Sequence, residues 1–428
     1  MKFKNLLLTF MLSSSFAIAQ NVSNVGLAWA KNSINTVVFR KNSIISFKNF
    51  QFTSYYDSVG NVILAKRKRG SNKWEIKKTN YRGNHKDAHN SISIIIDGKG
   101  FLHVAWDHHD SKLRYAKSVA PYSLELGGEL SVIGRNETKV TYPEFYMLKN
   151  GDLLFLHRDG ASGQGNLVLN RYDLQTQKWL RIHDNLIDGQ GQRNAYWQAC
   201  VDKLGIFHLS WVWREKSDVA TNHDMSYAKS LDGGKTWVSS KNDNYTIPMN
   251  ISNTKPIQVI PQKSELINST SMTADDKGNP YIATYWRVQN STVPQYQLIY
   301  FKDNDWKVQQ VSNRKTKFSL SGVGTKKIPI SRPQVVVNKK AVTVIFRDEE
   351  RGNKISVATN QNIDDINWNI VDVNNEDVGQ WEPSYDTALW QKKKKLHLFV
   401  QQTAQGDGEK TENKPAQMVK IIELKSIK

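Results

Sequence analysis

Ile94-Ile-Ile-Asp-Gly-Lys-Gly-Phe-Leu-His-Val-Ala-Trp106 is an apolar run, an Asp/Gly turn and a second run rich in aromatic and β-branched residues. Two such runs around a short Gly-containing turn are typical of a β-hairpin. The same pattern returns at Met147–His157, Cys200–Trp211, Met272–Trp286 and Val335–Phe346. Two weaker copies lie at Tyr55–Ala65 and Leu389–Val400, so the chain carries seven copies.

The spacing of these copies is long enough for about four short strands each, and no helical periodicity interrupts them. Both features predict an all-β fold, a seven-bladed β-propeller. Ser230-Leu-Asp-Gly-Gly-Lys-Thr-Trp237 has the spacing of an Asp-box, a structural turn in which the aspartate caps the hairpin backbone. No linker divides the chain, so we expect one catalytic domain over 20–428, closed by pairing of the segment after Gln20 with the last blade.

The first residues, MKFKNLLLTFMLSSSFAIAQ, combine a lysine-containing start, a short apolar run and a small-residue cleavage site before Gln20. This pattern predicts a signal peptide over 1–19 and a secreted or periplasmic protein. No segment has the ~20 apolar residues of a membrane span. The single cysteine, Cys200, excludes an intramolecular disulfide, so the core alone must stabilise the fold.

The chain carries 59 lysines and arginines against 40 acidic residues, a formal charge of +19. A cationic exported protein attracts polyanions, and both nucleic acid and acidic polysaccharide qualify. Secretion and the site residues favour an acidic sulfated polysaccharide and no nucleic acid. The run Lys392–Lys395 is interpreted as a solvated hairpin tip, with contact to the substrate as the alternative.

Four copies of the repeat end their second strand on an arginine: Arg158, Arg214, Arg287 and Arg347. Equivalent positions of a propeller lie around one rim, so these guanidinium groups are expected to converge on one face. Arginine binds carboxylate and sulfate through two parallel hydrogen bonds. The alternative is that each arginine pairs with a neighbouring acid such as Asp348 or Glu349.

Histidines flank one hairpin at both ends, with His89 before its first strand and His108 and His109 after its second. Histidine exchanges protons near neutral pH. Tyr142 precedes Pro143, which predicts an extended backbone at the start of a strand. The glycines after Arg158 allow close approach of a ligand. Together these residue types supply what β-elimination at a uronic acid requires: a cation for the carboxylate, a base and an acid.

In this order the motifs resemble the BNR-type propeller family that contains the ulvan lyases of polysaccharide lyase families 24 and 25. The resemblance covers nearly the whole mature chain. It rests on Gln51–Asp57, His89-Asn90, Asp107–Tyr115, Thr141–Phe145, Arg158–Gly165, Trp211–Arg214, Asn222–Trp237 and Trp381–Asp386.

The resemblance implies a lyase that cleaves ulvan by β-elimination, with His89, His109, Tyr142 and Arg158 as the catalytic group. Arg158 would neutralise the carboxylate, while Tyr142 and a histidine would share the base and acid roles. His109 is preferred to His108 because of its distance from Leu113. The residues expected to bind sugar are Asn90, His108, Arg193, Tyr196, Arg214 and His223.

No cofactor is required by this chemistry, and a monomer is expected. Some family members carry a structural metal, and His208 and His223 are potential remnants of such a zinc site; without a clear third ligand no zinc or calcium site is predicted.

Two other functions stay open. One is an α-L-rhamnosidase-type hydrolase acting on rhamnose–glucuronic acid linkages, which would need a carboxylate pair. The other is a non-catalytic propeller that binds acidic polysaccharide.

Overall fold

The hairpin at Ile94–Trp106 forms where the sequence predicts it, and its turn shows why. The carboxylate of Asp97 accepts hydrogen bonds from the backbone N–H groups of Lys99 and Phe101, both at 2.9 Å. Gly100 closes the turn with a φ of 93°, a left-handed conformation that costs glycine no steric strain. Asp202 and Asp275 accept backbone N–H groups in the same way in later repeats. The repeated Asp–Gly spacing is therefore a turn signal.

A computed structural model describes residues 20–424, which form seven antiparallel sheets. Five sheets have four strands and two have three, and each sheet is one blade. The all-β, seven-bladed β-propeller is confirmed. The predicted signal peptide at 1–19 lies outside the described residues, and the division into that peptide and one domain over 20–428 stays a prediction.

The first three blades follow one another along the chain, each starting from the strand nearest the axis. Blade 1 is β2 (Ile44–Phe47), β3 (Phe50–Tyr56), β4 (Asn61–Lys68) and β5 (Glu75–Arg82). Blade 2 is β6 (Ile92–Ile96), β7 (Leu102–Trp106) and β8 (Tyr115–Lys117). Blade 3 is β9 (Val140–Met147), β10 (Leu153–Asp159), β11 (Asn166–Asp173) and β12 (Lys178–Ile187).

The remaining blades repeat this order until the last one, which borrows a strand from the start of the chain. Blade 4 is β13 (Asn194–Val201), β14 (Phe207–Arg214) and β15 (Asn222–Ser230). Blade 5 is β16 (Ser271–Ala274), β17 (Pro280–Trp286), β18 (Gln295–Lys302) and β19 (Asp305–Gln310). Blade 6 is β20 (Gln334–Asn338), β21 (Ala341–Asp348), β22 (Lys354–Asn360) and β23 (Asn369–Asp372). Blade 7 is β24 (Ser384–Tyr385), β25 (Leu396–Val400), β26 (Gln417–Leu424) and β1 (Gln20–Ala28).

The ring closes as predicted, because β1 pairs antiparallel with β26 from Gln20↔Leu424 to Ala28↔Gln417. This pairing leaves no free edge between the first and last segments of the described chain. The inner strands β2, β6, β9, β13, β16 and β20 contact one another in sequence, and β24 lies beside β2. Apolar side chains fill the space between blades, with Trp106, Trp197, Trp211 and Trp381 among the fully buried ones.

Two of the seven predicted copies differ from the structure. Tyr55–Ala65 covers β3 and β4, the second hairpin of blade 1, whereas the first hairpin turns at Lys48-Asn49. Leu389–Val400 begins inside a helix, α1 (Thr387–Lys393), which lies between β24 and β25. Lys392–Lys395 is exposed and lies between two paired strands, as expected, but Lys392 and Lys393 form the end of this helix and Lys394 caps it. Asp386 caps α1 by accepting the N–H of Leu389, a local signal that strand patterning does not include.

The Asp-box is a structural turn, as predicted. Asp232 accepts the backbone N–H groups of Lys235 and Thr236 at 3.0 Å. Trp237 is buried and donates its indole N–H to the Gly234 carbonyl at 3.0 Å. In the described part of the chain, no helix has the length and apolar character needed to cross a membrane.

Candidate active site

The predicted catalytic residues meet on the face where the first strands of the blades begin and the second strands end. His89 precedes β6 and His109 follows β7, both in blade 2. Tyr142 lies near the start of β9 and Arg158 at the end of β10, both in blade 3. The ring of Tyr142 lies 5.8 Å from the ring of His89 and 5.2 Å from the Arg158 guanidinium carbon. The structure thus brings all four residues together.

The two histidines share one carboxylate. The Nδ1 atom of His109 lies 2.6 Å from one oxygen of Asp87, and the Nδ1 atom of His89 lies 3.1 Å from the other. The two imidazole rings stack at 4.0 Å between centroids. Asp87 therefore fixes both rings through their Nδ1 atoms.

A second carboxylate reaches His89 from the last blade. Glu409 lies in the loop between β25 and β26, and its Oε1 is 2.9 Å from His89 Nδ1. Its other oxygen accepts the backbone N–H of Ala88 at 2.9 Å. The oxygen that contacts His89 also accepts the backbone N–H of Thr325, which precedes β20. Glu409 therefore links the loops of blades 6 and 7 to the histidine segment.

These contacts set the charge of His89. Burial alone would lower its pKa, but Tyr142, Asp87 and Glu409 outweigh burial and hold the pKa well above the ordinary value. Burial works against ionisation of Asp87, yet the hydrogen bonds from His109 and His89 lower the pKa of that carboxyl. The pKa of Glu409 is lowered by His89 in the same way. His89 is therefore an imidazolium held between two carboxylates.

Tyr142 differs from its predicted conformation. Its φ is 56°, in the left-handed region, whereas the following proline predicts an extended backbone. The reason is a β-bulge, because the pairing of β9 with β10 shifts register between Leu156 and Arg158. Such strained positions in bulky residues persist only where the surroundings hold them. Here the ring packs edge-on against Phe39 at 5.0 Å and beside Arg158.

Arg158 is almost fully buried and is held by several acceptors. Its Nε donates to the Gly160 carbonyl at 2.9 Å and one Nη to Thr141 Oγ1 at 3.1 Å. Gly165 packs directly on its side chain, since a Cβ at that position would lie 2.7 Å from Arg158 Cγ. The glycine-rich segment after Arg158 thus gives room to the arginine itself.

Arg158 and Arg214 meet on one hydroxyl group. Each donates an Nη hydrogen bond at 3.3 Å to the hydroxyl oxygen of Tyr196, and Ser162 Oγ lies 2.9 Å from the same atom. Burial raises the pKa of Tyr196, but the charges of Arg214 and Arg158 outweigh it and lower the pKa to about 7. Tyr196 therefore carries substantial negative charge near neutral pH and fixes the two guanidinium groups.

Arg193 and His223, predicted to bind sugar, lie together on the rim of blade 4. Glu215 joins them, with one oxygen 2.8 Å from Arg193 Nε and 2.8 Å from His223 Nε2. Burial lowers the pKa of His223, but Asp224 and Glu215 outweigh it and raise the pKa. The cluster is partly exposed, so it can contact a ligand that extends outward from the centre.

Two other predicted sugar-binding residues do not face the site. His108 is completely buried, and its Nε2 accepts the backbone N–H of Arg114 at 2.8 Å. Burial lowers its pKa to about 3, so it stays neutral as a core residue. Asn90 is buried as well and donates to the Asn84 carbonyl at 3.0 Å, which stabilises the loop before β6. The sequence shows a polar residue at each position but not the direction in which it points.

The expected convergence of four rim arginines is reduced to two. Arg287 pairs with Glu265 at 2.7 Å, as the alternative of an acid partner anticipated, although with a different acid. Arg347 is buried and donates to the carbonyl oxygens of Pro329 and Ile328, both at 3.0 Å. Of the four, Arg158 and Arg214 are joined through Tyr196, whose ring lies 5.9 Å from that of Tyr142.

The two histidines considered for zinc do not lie together. His208 is at the start of β14, where its nitrogens contact Tyr227 Oη at 2.7 Å and Asp202 at 3.0 Å. His223 pairs with Trp213, at the other end of that strand and roughly 16 Å away. His103 makes the same contacts with Tyr115 and Asp97 in blade 2, so the His208 arrangement is a repeated structural element. Within residues 20–424, the group with metal-ligand spacing is Asp87, His89 and His109.

Four residues of the site carry no distinct signal in the sequence. Asp87 lies two residues before His89, and this short spacing is the one feature of the sequence that indicates a contact between them. Glu409 and Thr325 come from irregular loops more than 200 residues away, and only the closed ring brings them to His89. Phe39, which packs on Tyr142 and His89, comes from a short turn before β2.

The comparison with known families gives a direct match. The model of the BNR repeat-containing family matches residues 50–314, more than half of the chain. The chain belongs to the BNR repeat-containing family. The resemblance stated from the motifs is thereby confirmed at the level of the propeller family.

Curated relatives are similar over part of their length. A long-isoform ulvan lyase of Pseudoalteromonas sp. (strain PLSV) is 23% identical over 332 residues, 60% of this chain and 33% of that protein. A short-isoform ulvan lyase of Alteromonas sp. (strain LOR) is 26% identical over 274 residues, 49% of this chain and 52% of that protein. The chain thus spans about a third of the long isoform and half of the short one.

Solved structures share the fold. The polysaccharide lyase Uly1 superposes with a TM-score of 0.66 and 17% identity, with 90% of each chain covered. A PL25 ulvan lyase superposes with a TM-score of 0.62 and 12% identity, covering 93% of this chain and 94% of that one. The same neighbour has also been solved bound to -[GlcA(1-4)Rha3S]-. At these identities the likeness establishes the architecture.

Proposed function

We propose that this protein is a polysaccharide lyase that cleaves ulvan, a sulfated polymer of rhamnose and uronic acid, by β-elimination at the uronic acid. The observation that carries the proposal is the contact series from the paired histidines through Tyr142 to Arg158. The guanidinium of Arg158 and the ring of His89 both border Tyr142, to which we assign proton transfer. The curated relatives are ulvan lyases, which supports this substrate class.

Carboxylate neutralisation falls to the cations. In β-elimination the C5 proton becomes acidic only when the charge of the neighbouring C6 carboxylate is offset. Arg158 supplies a preoriented guanidinium, because Thr141, Gly160 and Tyr196 already hold it. Groups fixed before the reaction lower the barrier without reorganising. His89, kept cationic by Asp87 and Glu409, adds positive charge on the same face.

Proton transfer falls to Tyr142 and His109. The base removes the C5 proton, the C4=C5 double bond forms, the C4–O4 bond breaks, and an acid returns a proton to O4. Tyr196 is a poor base because two arginines and Ser162 already occupy its oxygen. His89 is a poor base because it is held protonated. We therefore assign removal of the C5 proton to Tyr142, and return of a proton to O4 to His109, whose Nδ1 lies 2.6 Å from Asp87.

Hydrolysis is the alternative, and the site does contain two carboxylates, Asp87 and Glu409. A glycosidase needs one of its carboxyl groups protonated as the general acid, which requires a raised pKa. Both carboxyl groups here have lowered pKa values and contact His89. They therefore stay ionised and stabilise the charge of His89, so neither is suited to act as the general acid of a glycosidase. This favours elimination over hydrolysis.

Ultraviolet absorbance during incubation with ulvan tests the proposal. Elimination creates an unsaturated uronide whose C4=C5 double bond absorbs ultraviolet light, whereas hydrolysis and binding create none. We expect the absorbance to rise with wild-type protein and not with Arg158→Ala. Release of rhamnose without an absorbance rise would establish the hydrolase instead. Binding of ulvan with neither product would establish the non-catalytic propeller.

We also infer that the chain is exported and that residues 20–428 form one catalytic domain, acting as a monomer outside the cytoplasm. The support is the signal-peptide pattern over 1–19. Mass spectrometry of the protein recovered from the medium or periplasm should find Gln20 as the first residue. Recovery of full-length chain from the cytoplasm alone would contradict export.

A further inference from the structure

The outer hairpin of blade 1, formed by β4 and β5 over residues 61–82, is far more basic than the rest of the molecule. It carries eight lysines and arginines against one acidic residue, Glu75, a net charge of +7. The whole chain has +19. This segment, named the cationic hairpin, therefore holds more than a third of the net charge in about a twentieth of the sequence.

Most of this charge has no carboxylate partner. Lys66, Arg67 and Lys77 form ion pairs with Glu75, Glu423 and Glu125. Within residues 20–424 the other five form no ion pair, and four of them, Lys68, Lys73, Lys78 and Arg82, are exposed. Unpaired exposed cations repel one another. A negatively charged ligand offsets this repulsion, so a surface of this kind favours binding of a polyanion.

Protection of a free strand edge does not explain the charge. β5 is the outermost strand of its blade, and lysines on such edges discourage aggregation. The equivalent outer hairpins have the same exposed edge, however. Their net charges are +1 for residues 166–187, 0 for 295–310 and −2 for 354–372. A free edge in this fold therefore does not require +7, and the excess belongs to blade 1.

The cationic hairpin leads directly to the candidate active site. β5 ends at Arg82 on the site face, and five residues later the chain reaches Asp87, which holds both histidines. Asn84 attaches this connection to blade 2, because its N–H donates to Asp107 at 2.7 Å. An eight-residue strand extends roughly 26 Å, so the charge extends from Arg82, at the end of the blade that faces the site, along the outside of the blade to Lys68 and Lys73 at its other end.

We infer that the cationic hairpin is a second, non-catalytic binding surface for anionic polysaccharide, which retains the polymer while its cleavable segment occupies the candidate active site. The identification of the polymer with the substrate rests on the proposed function. The binding of a polyanionic polysaccharide does not. Exposed lysines suit this role because they bind sulfate and carboxylate as point charges, without demanding one register.

The test uses a triple variant, Lys68→Gln/Lys73→Gln/Lys78→Gln, in the full-length protein. Its control is Lys255→Gln/Lys277→Gln/Lys339→Gln, three exposed lysines on other blades that lower the net charge equally. Affinity is measured with dextran sulfate, which is sulfated but has no uronic acid to eliminate. At about 0.1 M salt we expect the hairpin variant to bind about tenfold more weakly and with a shallower salt dependence, because fewer counterions are released. The control should change less than twofold.

Kinetics with ulvan separates a remote surface from the active site. The hairpin variant should show a several-fold higher KM for the polymer and an unchanged KM and kcat for a tetrasaccharide. Equal changes with both substrates would place the lysines in the active site and overturn the inference. Equal dextran sulfate binding by the two triple variants would also overturn it, as would a larger loss of affinity for duplex DNA than for polysaccharide.

The two proposals fail in different ways. If ulvan yields no unsaturated product with the wild type, while dextran sulfate binding still depends on the hairpin lysines, the lyase assignment fails and the surface stands. If ulvan is cleaved and the lysines have no effect on either measurement, the surface fails and the lyase stands. Both triple variants should keep the wild-type melting temperature, since the replaced side chains are exposed.

Discussion

Arg158 in blade 3 and Arg347 in blade 6 occupy the same place in the repeat, at the end of the second strand. Arg158 donates to one backbone carbonyl and two hydroxyl groups and borders Tyr142. Arg347 is enclosed by the segment that precedes β20 and donates to the carbonyls of Ile328 and Pro329. The repeat thus supplies a guanidinium at a fixed position. The loops around each arginine determine whether it borders the candidate active site or stabilises the fold.

The strongest test of this comparison replaces each arginine by alanine. Arg158→Ala should reduce formation of unsaturated product by at least about 1,000-fold, because a preoriented cation is lost. Arg158 is buried too but donates to only one backbone carbonyl, so its loss should lower the melting temperature less than the loss of Arg347. Arg347→Ala should lower the free energy of unfolding by roughly 3 kcal/mol, since several buried carbonyls lose their donor. Absorbance assays and thermal melts measure the two effects.

Arg158→Lys is the matched variant, and it should restore little activity because an ammonium cannot reproduce the planar fork. Loss of activity in a fully folded Arg347→Ala variant, or unfolding of the domain in Arg158→Ala, would contradict a catalytic role for Arg158 and a structural role for Arg347.

The second test compares Tyr142 with Tyr196, whose rings lie 5.9 Å apart. Tyr142→Phe should lower kcat by about 100-fold or more, as expected for loss of a proton-transfer group. Tyr196→Phe should lower kcat/KM less, because it removes the anion that orients Arg158 and Arg214. It should also change the pH profile. The pKa of Tyr196 is lowered to about 7, so its ionisation contributes a rise in activity through that pH, and the rise should be absent in the variant.

Near-full activity in Tyr142→Phe would move proton abstraction to His109. A pH profile of Tyr196→Phe identical to that of the wild type would mean that the ionisation of Tyr196 has no part in orienting the arginines.

The sequence predicted the ring of blades because hairpin turns are local, as Asp97 and Gly100 show. It also identified the four central residues, since family motifs retain their order along the chain. It did not predict the bulge that turns Tyr142 into the left-handed region, because the proline favours the opposite. Glu409 was not predicted, since its position depends on ring closure between distant loops. Residue type and spacing show which groups are available, and their burial follows only from the fold.

The third test concerns Glu409, which reaches the candidate active site from the loop between β25 and β26. Glu409→Gln should leave the fold intact and change activity several-fold, chiefly at alkaline pH. Glu409 helps to raise the pKa of His89, so its neutralisation lowers that pKa and His89 loses its proton at a lower pH. Activity should therefore decline earlier as pH rises. The control is Glu412→Gln, a change in the same loop as Glu409. It removes an exposed ion pair with Lys327 and should leave the pH profile of activity unchanged.

The smallest expected effect concerns His223, on the rim beside Arg193 and Glu215. Burial lowers the pKa of His223, but Asp224 and Glu215 outweigh it and raise the pKa, so His223 keeps its proton to a higher pH than a free histidine does. His223→Gln should therefore raise KM for ulvan about two- to threefold at pH 6 and by less at pH 9, since one partly exposed charge contributes little. The value of kcat should not change at either pH, because the residue lies outside the contact series around Tyr142. Steady-state kinetics at the two pH values measures the split. A fall in kcat would place His223 with the central group, and an equal KM effect at both pH values would show that its charge is not what contacts the polymer.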